Sequence, residues 1–163
     1  MARTPRTPDS LRQHVVTLLD GGRAHARATD VLRGFPADRC GERPRGMAHS
    51  GWQLVEHLRI AQRDMLDWCR TPGHESPPWP EGYWPKAPKP PDSEAWDRSV
   101  RAFLADLRTS LRIARDPRID LLAPLPHVGV CWLHELILIA DHGAWHLGQL
   151  LLLQRCLEAK PRR

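Results

Sequence analysis

Two segments of the chain carry apolar residues at spacings of four and three, a pattern that restricts the chain to folds built from packed helices. The first set is Leu54, Leu58, Ala61, Met65 and Trp68, and the second is Trp96, Val100, Phe103, Leu107, Leu111 and Ala114. Side chains at this spacing lie along one face of an α-helix and form the seam of a helical bundle. We therefore predict an all-α fold.

Local signals give the helix boundaries. Ser50 with Gln53 three residues later is a capping box, so one helix begins there, and it ends before Pro72. A second helix is predicted over residues 93–115, where Asp116 and Pro117 end it. Two further helices are predicted over residues 10–32 and 130–158. Gly21 and Gly22 interrupt the first of these, which we expect to be kinked there.

Residues 71–91 hold eight of the sixteen prolines and cannot form a helix. Three large rings within them, Trp79, Tyr83 and Trp84, are expected to pack on the helices. A crossover of this length allows the second and third helices to run parallel. We predict one domain over residues 1–163, a four-helix bundle with up-down-down-up order, with flexible tails at residues 1–9 and 159–163.

Charge and cysteine usage exclude several classes of protein. The net charge of +5 comes from five basic residues in the two tails, and the remaining 19 basic side chains equal the 19 acidic ones. A nucleic-acid partner would need clustered basic charge, so none is expected. The four cysteines form no C-x-x-C pair, which is typical of reduced thiols in a cytoplasmic protein. No secretory signal or membrane span is predicted.

The last predicted helix places polar side chains on its apolar stripe. With His142 at zero, His146 lies at about 40°, Glu135 at about 20° and Gln149 at about −20° around the helix. Buried polar groups without partners are costly, so this set needs something that satisfies it. Two histidines at i and i+4 can present both imidazoles to one metal ion, although such pairs also occur as hydrogen-bonded residues without a metal.

A third histidine on another helix favours the metal. His57 lies at about −60° from the centre of the Leu54–Trp68 seam, so neighbouring helices of a bundle can bring it to His142 and His146. We predict these three as ligands of one divalent transition metal. Three neutral imidazoles suit Zn²⁺, Ni²⁺, Cu²⁺ or Fe²⁺, and an open coordination position is typical of a catalytic ion.

Other polar residues are candidates for supporting roles. Glu135 is the candidate acid or base. Glu135, Asp141 and Gln149 can also orient the metal-binding imidazoles by contacting the free N–H group of each ring. For Asp141 we favour the ordinary role of a polar residue on a helix. His25 falls on the stripe of the first predicted helix, where it can line the same pocket or simply face solvent.

The segments "HSGWQLVEHLRIAQRDML" and "LIADHGAWHLGQLLLLQR" carry a family resemblance. In this order and spacing, with "PPWPEGYWP" and "DLLAPLPHVG" between them, they resemble the DinB/YfiT-like superfamily of metalloenzymes. The resemblance spans residues 34–155. It implies a four-helix bundle, frequently dimeric, with one divalent metal on His57, His142 and His146. Gly143 and Trp145 stand where members often have Asn and Tyr, which removes two polar groups from that region.

The resemblance also implies a range of functions. Characterised relatives include thiol-dependent S-transferases and isomerases, so a metal-dependent enzyme acting on a small molecule, with a low-molecular-weight thiol as cosubstrate, is the first hypothesis. Hydrolysis is the related alternative. A non-catalytic metal-binding or stress-response bundle is the second hypothesis, and a scaffold with a vestigial site is the third.

Overall fold

The computed structural model describes residues 7–159, and within that range the regular elements are all helical, as predicted. Five α-helices and one short 3₁₀ turn are present there. They are α1 (Asp9–Asp20), α2 (Ala28–Gly34), the 3₁₀ turn (Ala37–Arg39), α3 (Gly51–Arg70), α4 (Ala95–Arg115) and α5 (Trp132–Glu158). The predicted tails lie mostly outside the described residues, but Thr7 is buried and its hydroxyl donates to Asp120 at 2.7 Å.

The prediction of one kinked helix over residues 10–32 is wrong, because the chain forms two helices there. Gly21 and Gly22 have φ angles of 69° and 81°, in the left-handed region that glycine adopts without strain. The N–H of Gly22 donates to the carbonyl of His25 at 2.8 Å, which closes a turn between α1 and α2. The glycine pair therefore ends α1, and residues 23–27 are exposed.

The capping box at the start of α3 is confirmed. Ser50 Oγ accepts a hydrogen bond from the Gln53 N–H at 3.2 Å, and Gln53 Oε1 accepts one from the Ser50 N–H at 3.1 Å. The helix ends at Arg70, before Pro72. The other two long helices begin two residues later than predicted, at Ala95 and Trp132. In α5 the delay has a cause, since the Val130 carbonyl accepts from the Leu125 N–H in the preceding turn.

Two hydrophobic clusters form the core. The first lies among α2, the first half of α3, the first half of α4 and the last half of α5, and includes Leu54, Leu58, Phe103, Leu150 and Leu153. The second lies among α1, the other halves of α3, α4 and α5, and the connection before α5, and includes Val15, Leu66, Leu111, Leu121 and Leu136. α3 and α1 each pack against both α4 and α5, and α2 packs against α5 and α4.

The predicted apolar stripes are only partly buried. Leu54, Leu58 and Ala61 are buried on α3, but Trp68 is 39% exposed, and Leu66 and Cys69 continue the core instead. On α5 the predicted stripe residues Leu138 and Cys156 are also exposed. Helical spacing identifies the apolar face of a helix, but it does not specify which part of that face another element covers.

Residues 71–94 form the crossover between α3 and α4 and lie against the first four turns of α3. Its carbonyls accept hydrogen bonds from α3 side chains: Pro88 O from Ser50 Oγ at 2.6 Å and Pro85 O from Gln53 Nε2 at 2.9 Å. Tyr83 and Trp84 are half-buried, as expected, whereas Trp79 is 71% exposed, contrary to the expectation that it packs.

α5 is the most apolar helix. Its length and composition alone would suffice to cross a membrane, with a mean hydropathy of 1.3 over its most apolar 18-residue window, of which 44% is buried. Core helices of bundles commonly have this composition, so the finding is weak evidence for a membrane. Here the inner face of α5 packs against α1, α2 and α3.

Candidate metal centre

α3 and α5 bring the three predicted histidines together. The side chains of His57, His142 and His146 each offer one ring nitrogen, and these three atoms lie within 4.8 Å of one another. The ring centroids are 5.0 Å apart for His57 and His142 and 4.6 Å apart for the other two pairs. His57 and His146 are buried and His142 is half-buried.

The tautomer of His57 follows from its partner on the crossover. His57 Nδ1 lies 3.1 Å from the carbonyl oxygen of Tyr83, which can only accept, so Nδ1 carries the proton. Its Nε2 therefore presents a lone pair and lies 3.0 Å from His142 Nε2. His146 has the same arrangement, because its Nδ1 donates to Gln149 Oε1 at 3.3 Å. The predicted orienting role of Gln149 is thus supported by a direct contact.

The group fits a divalent transition metal. Two nitrogen ligands of a tetrahedral zinc ion, with bonds of about 2.0–2.1 Å, lie about 3.3 Å apart. The 3.0 Å between His57 Nε2 and His142 Nε2 is close to that separation, and small rotations of the side chains would open it. The donor set contains only imidazole nitrogens, which suits transition metals and not Mg²⁺ or Ca²⁺.

Burial keeps the three imidazoles neutral, which is the form that binds a metal. Desolvation, together with the positive charges that His146 and His142 would carry, lowers the pKa of His57 to about 4, against the hydrogen bond to Tyr83, which raises it. Burial also lowers the pKa of His142 to about 4, and it lowers the pKa of His146.

The rings of Trp84 on the crossover and His49 in the loop before α3 cover one side of the three imidazoles. The Trp84 ring stacks on His57 with centroids 3.8 Å apart and 4° between the planes, and His49 stacks on the other face of Trp84 at 3.9 Å. Sequence reasoning gave His49 no role and had no signal for the stack, because loop paths have no periodicity. The proximity of His49 to Ser50 places it beside the start of α3.

Two cavities flank the imidazoles. A cavity of about 470 Å³ is lined by His57 and His142, together with Asp64, Trp68, Tyr83 and Glu135. A cavity of about 370 Å³ is lined by His146 and Gln149, together with His49, Trp84 and Trp145. Small molecules thus have room to approach the group from both sides.

The other candidate residues lie at different distances from the group. Glu135 is buried and lines the larger cavity, but it does not belong to the group of ring nitrogens within 4.8 Å. Burial raises the pKa of the Glu135 carboxyl. Asp141 is exposed, in agreement with an ordinary surface role. His25 is exposed in the turn between α1 and α2 and does not join the group, because the glycine pair ends the helix that would have carried it inward.

Two of the cysteines are poor candidates for a nucleophile at this site. All four are free, and Cys40 and Cys69 are buried. Burial raises the pKa of Cys40, and burial with the nearby charge of Glu135 raises the pKa of Cys69 to about 12. A thiol with a raised pKa is a weak nucleophile at neutral pH.

Comparisons of the chain with protein-family models, with curated proteins and with solved structures found no match. The geometry of the site itself therefore carries the functional argument.

Proposed function

We propose that this protein is a metal-dependent enzyme of the DinB/YfiT-like superfamily that acts on a small molecule. The observation that carries the proposal is the group of three ring nitrogens from His57, His142 and His146 within 4.8 Å, beside a cavity of about 470 Å³. A structural ion is normally enclosed by four protein ligands, whereas three ligands and an adjacent cavity suit a catalytic ion.

In this proposal His57, His142 and His146 hold one divalent transition metal, with Zn²⁺, Ni²⁺ and Fe²⁺ as the candidates. When bound, such an ion acts as a Lewis acid toward a thiol or a water molecule. Thiol transfer to an electrophile is the first proposed reaction, and hydrolysis is the second.

The surrounding residues would support this chemistry in three ways. The Tyr83 carbonyl and Gln149 Oε1 fix the tautomers of His57 and His146, so that both Nε2 atoms stay free. The Trp84 ring covers one face of His57 and excludes water from it. Glu135 is the proposed acid or base, because burial raises the pKa of its carboxyl towards neutrality.

A non-catalytic metal-binding or stress-response protein is the alternative. It would hold the same ion on the same residues, but the ion would serve only to stabilise the helices. A scaffold with a vestigial site would hold no ion.

Metal analysis of the protein purified without added ions separates these functions. We expect about one divalent transition metal per chain, and the double variant His142→Ala with His146→Ala is expected to lose it while its helical circular dichroism is kept. No metal in the wild-type protein would overturn the proposal. If metal is present, low-molecular-weight thiols are assayed with electrophilic substrates, and the absence of both transfer and hydrolysis would favour the non-catalytic alternative.

We also propose a four-helix bundle in up-down-down-up order, built from α1, α3, α4 and α5. Contacts between α3 and α4 advance in the same direction along both helices: Glu56 with Ser99, Gln62 with Phe103 and Arg63 with Asp106. This supports a parallel pair joined by the long crossover. The contact of His57 with His142, and the shared cluster of Leu66 with Leu136, support antiparallel α3 and α5.

We further propose a homodimer formed through the outer face of α5. Leu138, Trp145 and Leu152 are exposed at seven-residue spacing, and Gly148 on the same stripe has open space where a Cβ would lie. Two antiparallel copies of α5 that cross at Gly148 would bring Asp141 of one copy opposite Arg155 of the other, since each lies seven residues from that glycine. The pairing of opposite charges favours a second copy of this chain as the occupant.

Analytical ultracentrifugation tests the dimer. The wild-type protein is expected to sediment as a dimer at micromolar concentration and Trp145→Glu as a monomer. Leu122→Glu, which changes an apolar residue exposed elsewhere, is the matched control and should remain dimeric. A monomeric wild-type protein would overturn the proposal.

A further inference from the structure

The cavity beside His57 and His142 has aromatic walls at its outer end. Of the eight large apolar side chains that are exposed in the described part of the chain, three line this one cavity: Trp68, Trp79 and Leu138. The rings of Trp79 and Tyr83 are in contact, with centroids 5.5 Å apart and 56° between the planes. Exposed indoles gathered at the wall of a cavity are typical of a binding site.

Glu135 lines the same cavity and is 95% buried, since only 5% of its surface is exposed. Among residues 7–159 its carboxylate accepts no hydrogen bond and forms no ion pair. A largely desolvated carboxylate that faces a cavity and has no protein donor is stabilised by a ligand that donates to it.

Asp64 is the second carboxylate of the cavity, and its partners are a phenol and an imidazole. Tyr83 Oη donates to one oxygen at 2.5 Å, and His74 Nε2 lies 2.7 Å from the other. The residues that line the cavity include no lysine and no arginine. The wall therefore carries two carboxylates, aromatic faces and, besides His57 and His142, the imidazole of His134.

We propose that this cavity binds a small organic amine in its protonated form, with the ammonium group on Glu135 and its apolar body against Trp68 and Trp79. An ammonium satisfies the buried carboxylate and interacts favourably with indole faces. The opposite end of the ligand then faces His57 and His142. The inference rests on the proposed function only for the reaction at the far end of the ligand, which would need the metal. Binding of the ammonium end by Glu135 and the aromatic wall needs no metal.

A matched series of probes tests the inference. Phenethylamine, 2-phenylethanol and phenylacetate have similar size and shape but carry a positive charge, no charge and a negative charge at neutral pH. Isothermal titration of the chelator-treated protein is expected to show phenethylamine binding at least about tenfold more tightly than the alcohol, equivalent to about 1.4 kcal/mol. Equal or weaker binding of the amine, or no binding at millimolar concentration, would overturn the inference.

Two variants locate the charge that is responsible. Glu135→Gln keeps the shape of the side chain and should remove the preference for the amine while the alcohol still binds. Glu81→Gln, at an exposed carboxylate on the crossover outside the cavity lining, is the control and should retain the preference. The wild-type comparison of amine with alcohol stands even if Glu135→Gln does not fold. An amine preference that survives in a folded Glu135→Gln variant would overturn the inference.

Zinc uptake by the same preparation, measured after the chelator has been removed, separates this inference from the proposed function. If the protein prefers the amine but takes up no zinc, the amine site stands and the proposed metalloenzyme function is overturned. If the protein takes up zinc but shows no preference for the amine, the metal centre stands and the amine site is overturned.

Discussion

α3 packs against two helices, and the polar groups at the two interfaces are treated differently. Towards α4, Glu56 accepts from Ser99, Gln62 donates to the Phe103 carbonyl at 2.8 Å, and Arg63 pairs with Asp106. Towards α5, the ring nitrogens of His57 and His142 face each other at 3.0 Å. The first interface pairs its polar groups within the protein, whereas at the second the ring nitrogens of His57, His142 and His146 lie within 4.8 Å of one another.

This difference separates structural polar groups from functional ones. A buried polar group that is paired within the protein contributes to the stability and the register of the helices. Three ring nitrogens gathered within 4.8 Å are an arrangement that a cation would satisfy. One atom of the α3–α4 interface is an exception to this pairing. Among the described residues, Asp106 Oδ2 is buried without a partner, although Oδ1 of the same carboxylate pairs with Arg63 at 2.7 Å.

The largest expected effect is on metal binding at the α3–α5 interface. His57→Ala leaves two ligands and should weaken zinc binding by more than about 100-fold, beyond the effect typical of residues that only orient a ligand. Competition with a chromophoric chelator measures the affinity. Zinc binding by this variant at wild-type affinity would contradict the difference between the two interfaces, because His57 would then be a hydrogen-bonded core residue and not a ligand.

Gln62→Ala is the matched change at the α3–α4 interface. It should lower the free energy of unfolding by about 1–3 kcal/mol through the lost hydrogen bond and contacts, and leave zinc affinity unchanged. Urea denaturation of the metal-free protein and the same chelator competition give both values. A tenfold loss of zinc affinity would show that the two interfaces are coupled.

The pH dependence of stability should come mainly from the α3–α5 interface. The pKa values of His57 and His142 fall from 6.5 to about 4 on folding, so the unfolded chain binds more protons between these values. The free energy of unfolding of the metal-free protein should therefore decrease as the pH is lowered from 6.5 towards 4. Urea denaturation at several pH values measures the slope, which should be shallower in His57→Ala. An equal slope in the variant would assign the titration to other groups.

The smallest expected effect is at Tyr83, whose hydroxyl donates to Asp64 while its backbone carbonyl accepts from His57. Tyr83→Phe removes only the hydroxyl, so unfolding should become easier by about 0.5–1.5 kcal/mol. Because the carbonyl is then held less firmly, zinc affinity should fall by less than in His57→Ala. An unchanged affinity, measured in the same way, would show that Trp84 and the other crossover contacts hold the carbonyl by themselves.

The sequence was sufficient for the three long helices α3, α4 and α5 and for the three histidines, because both follow from helical periodicity. Angles around a helix place His142 and His146 on one stripe, and the capping box at Ser50 fixes how far along α3 His57 lies. Neither inference needs the path of a loop.

The rest of the site could not be predicted, because it depends on segments that have no periodicity. The contacts of Tyr83 and Trp84 with His57 arise from the path of a proline-rich crossover. The exposure of Trp68 depends on which part of α3 is left uncovered. Gly21 and Gly22 predicted a kink, but only the left-handed φ angles of both residues show that the helix ends there and turns His25 outward.

The anchoring of the crossover has a consequence for how this chain can vary in evolution. The carbonyls of Tyr83, Pro85 and Pro88 and the ring of Trp84 all contact side chains in the first turns of α3. An insertion or deletion within residues 83–88 would displace one of these contacts, whereas the stretch around Gly73 and Glu75 is held to α3 by a single contact, that of His74 with Asp64 at 2.7 Å. Related sequences should therefore differ in length in the first part of the crossover and keep a fixed length in the last.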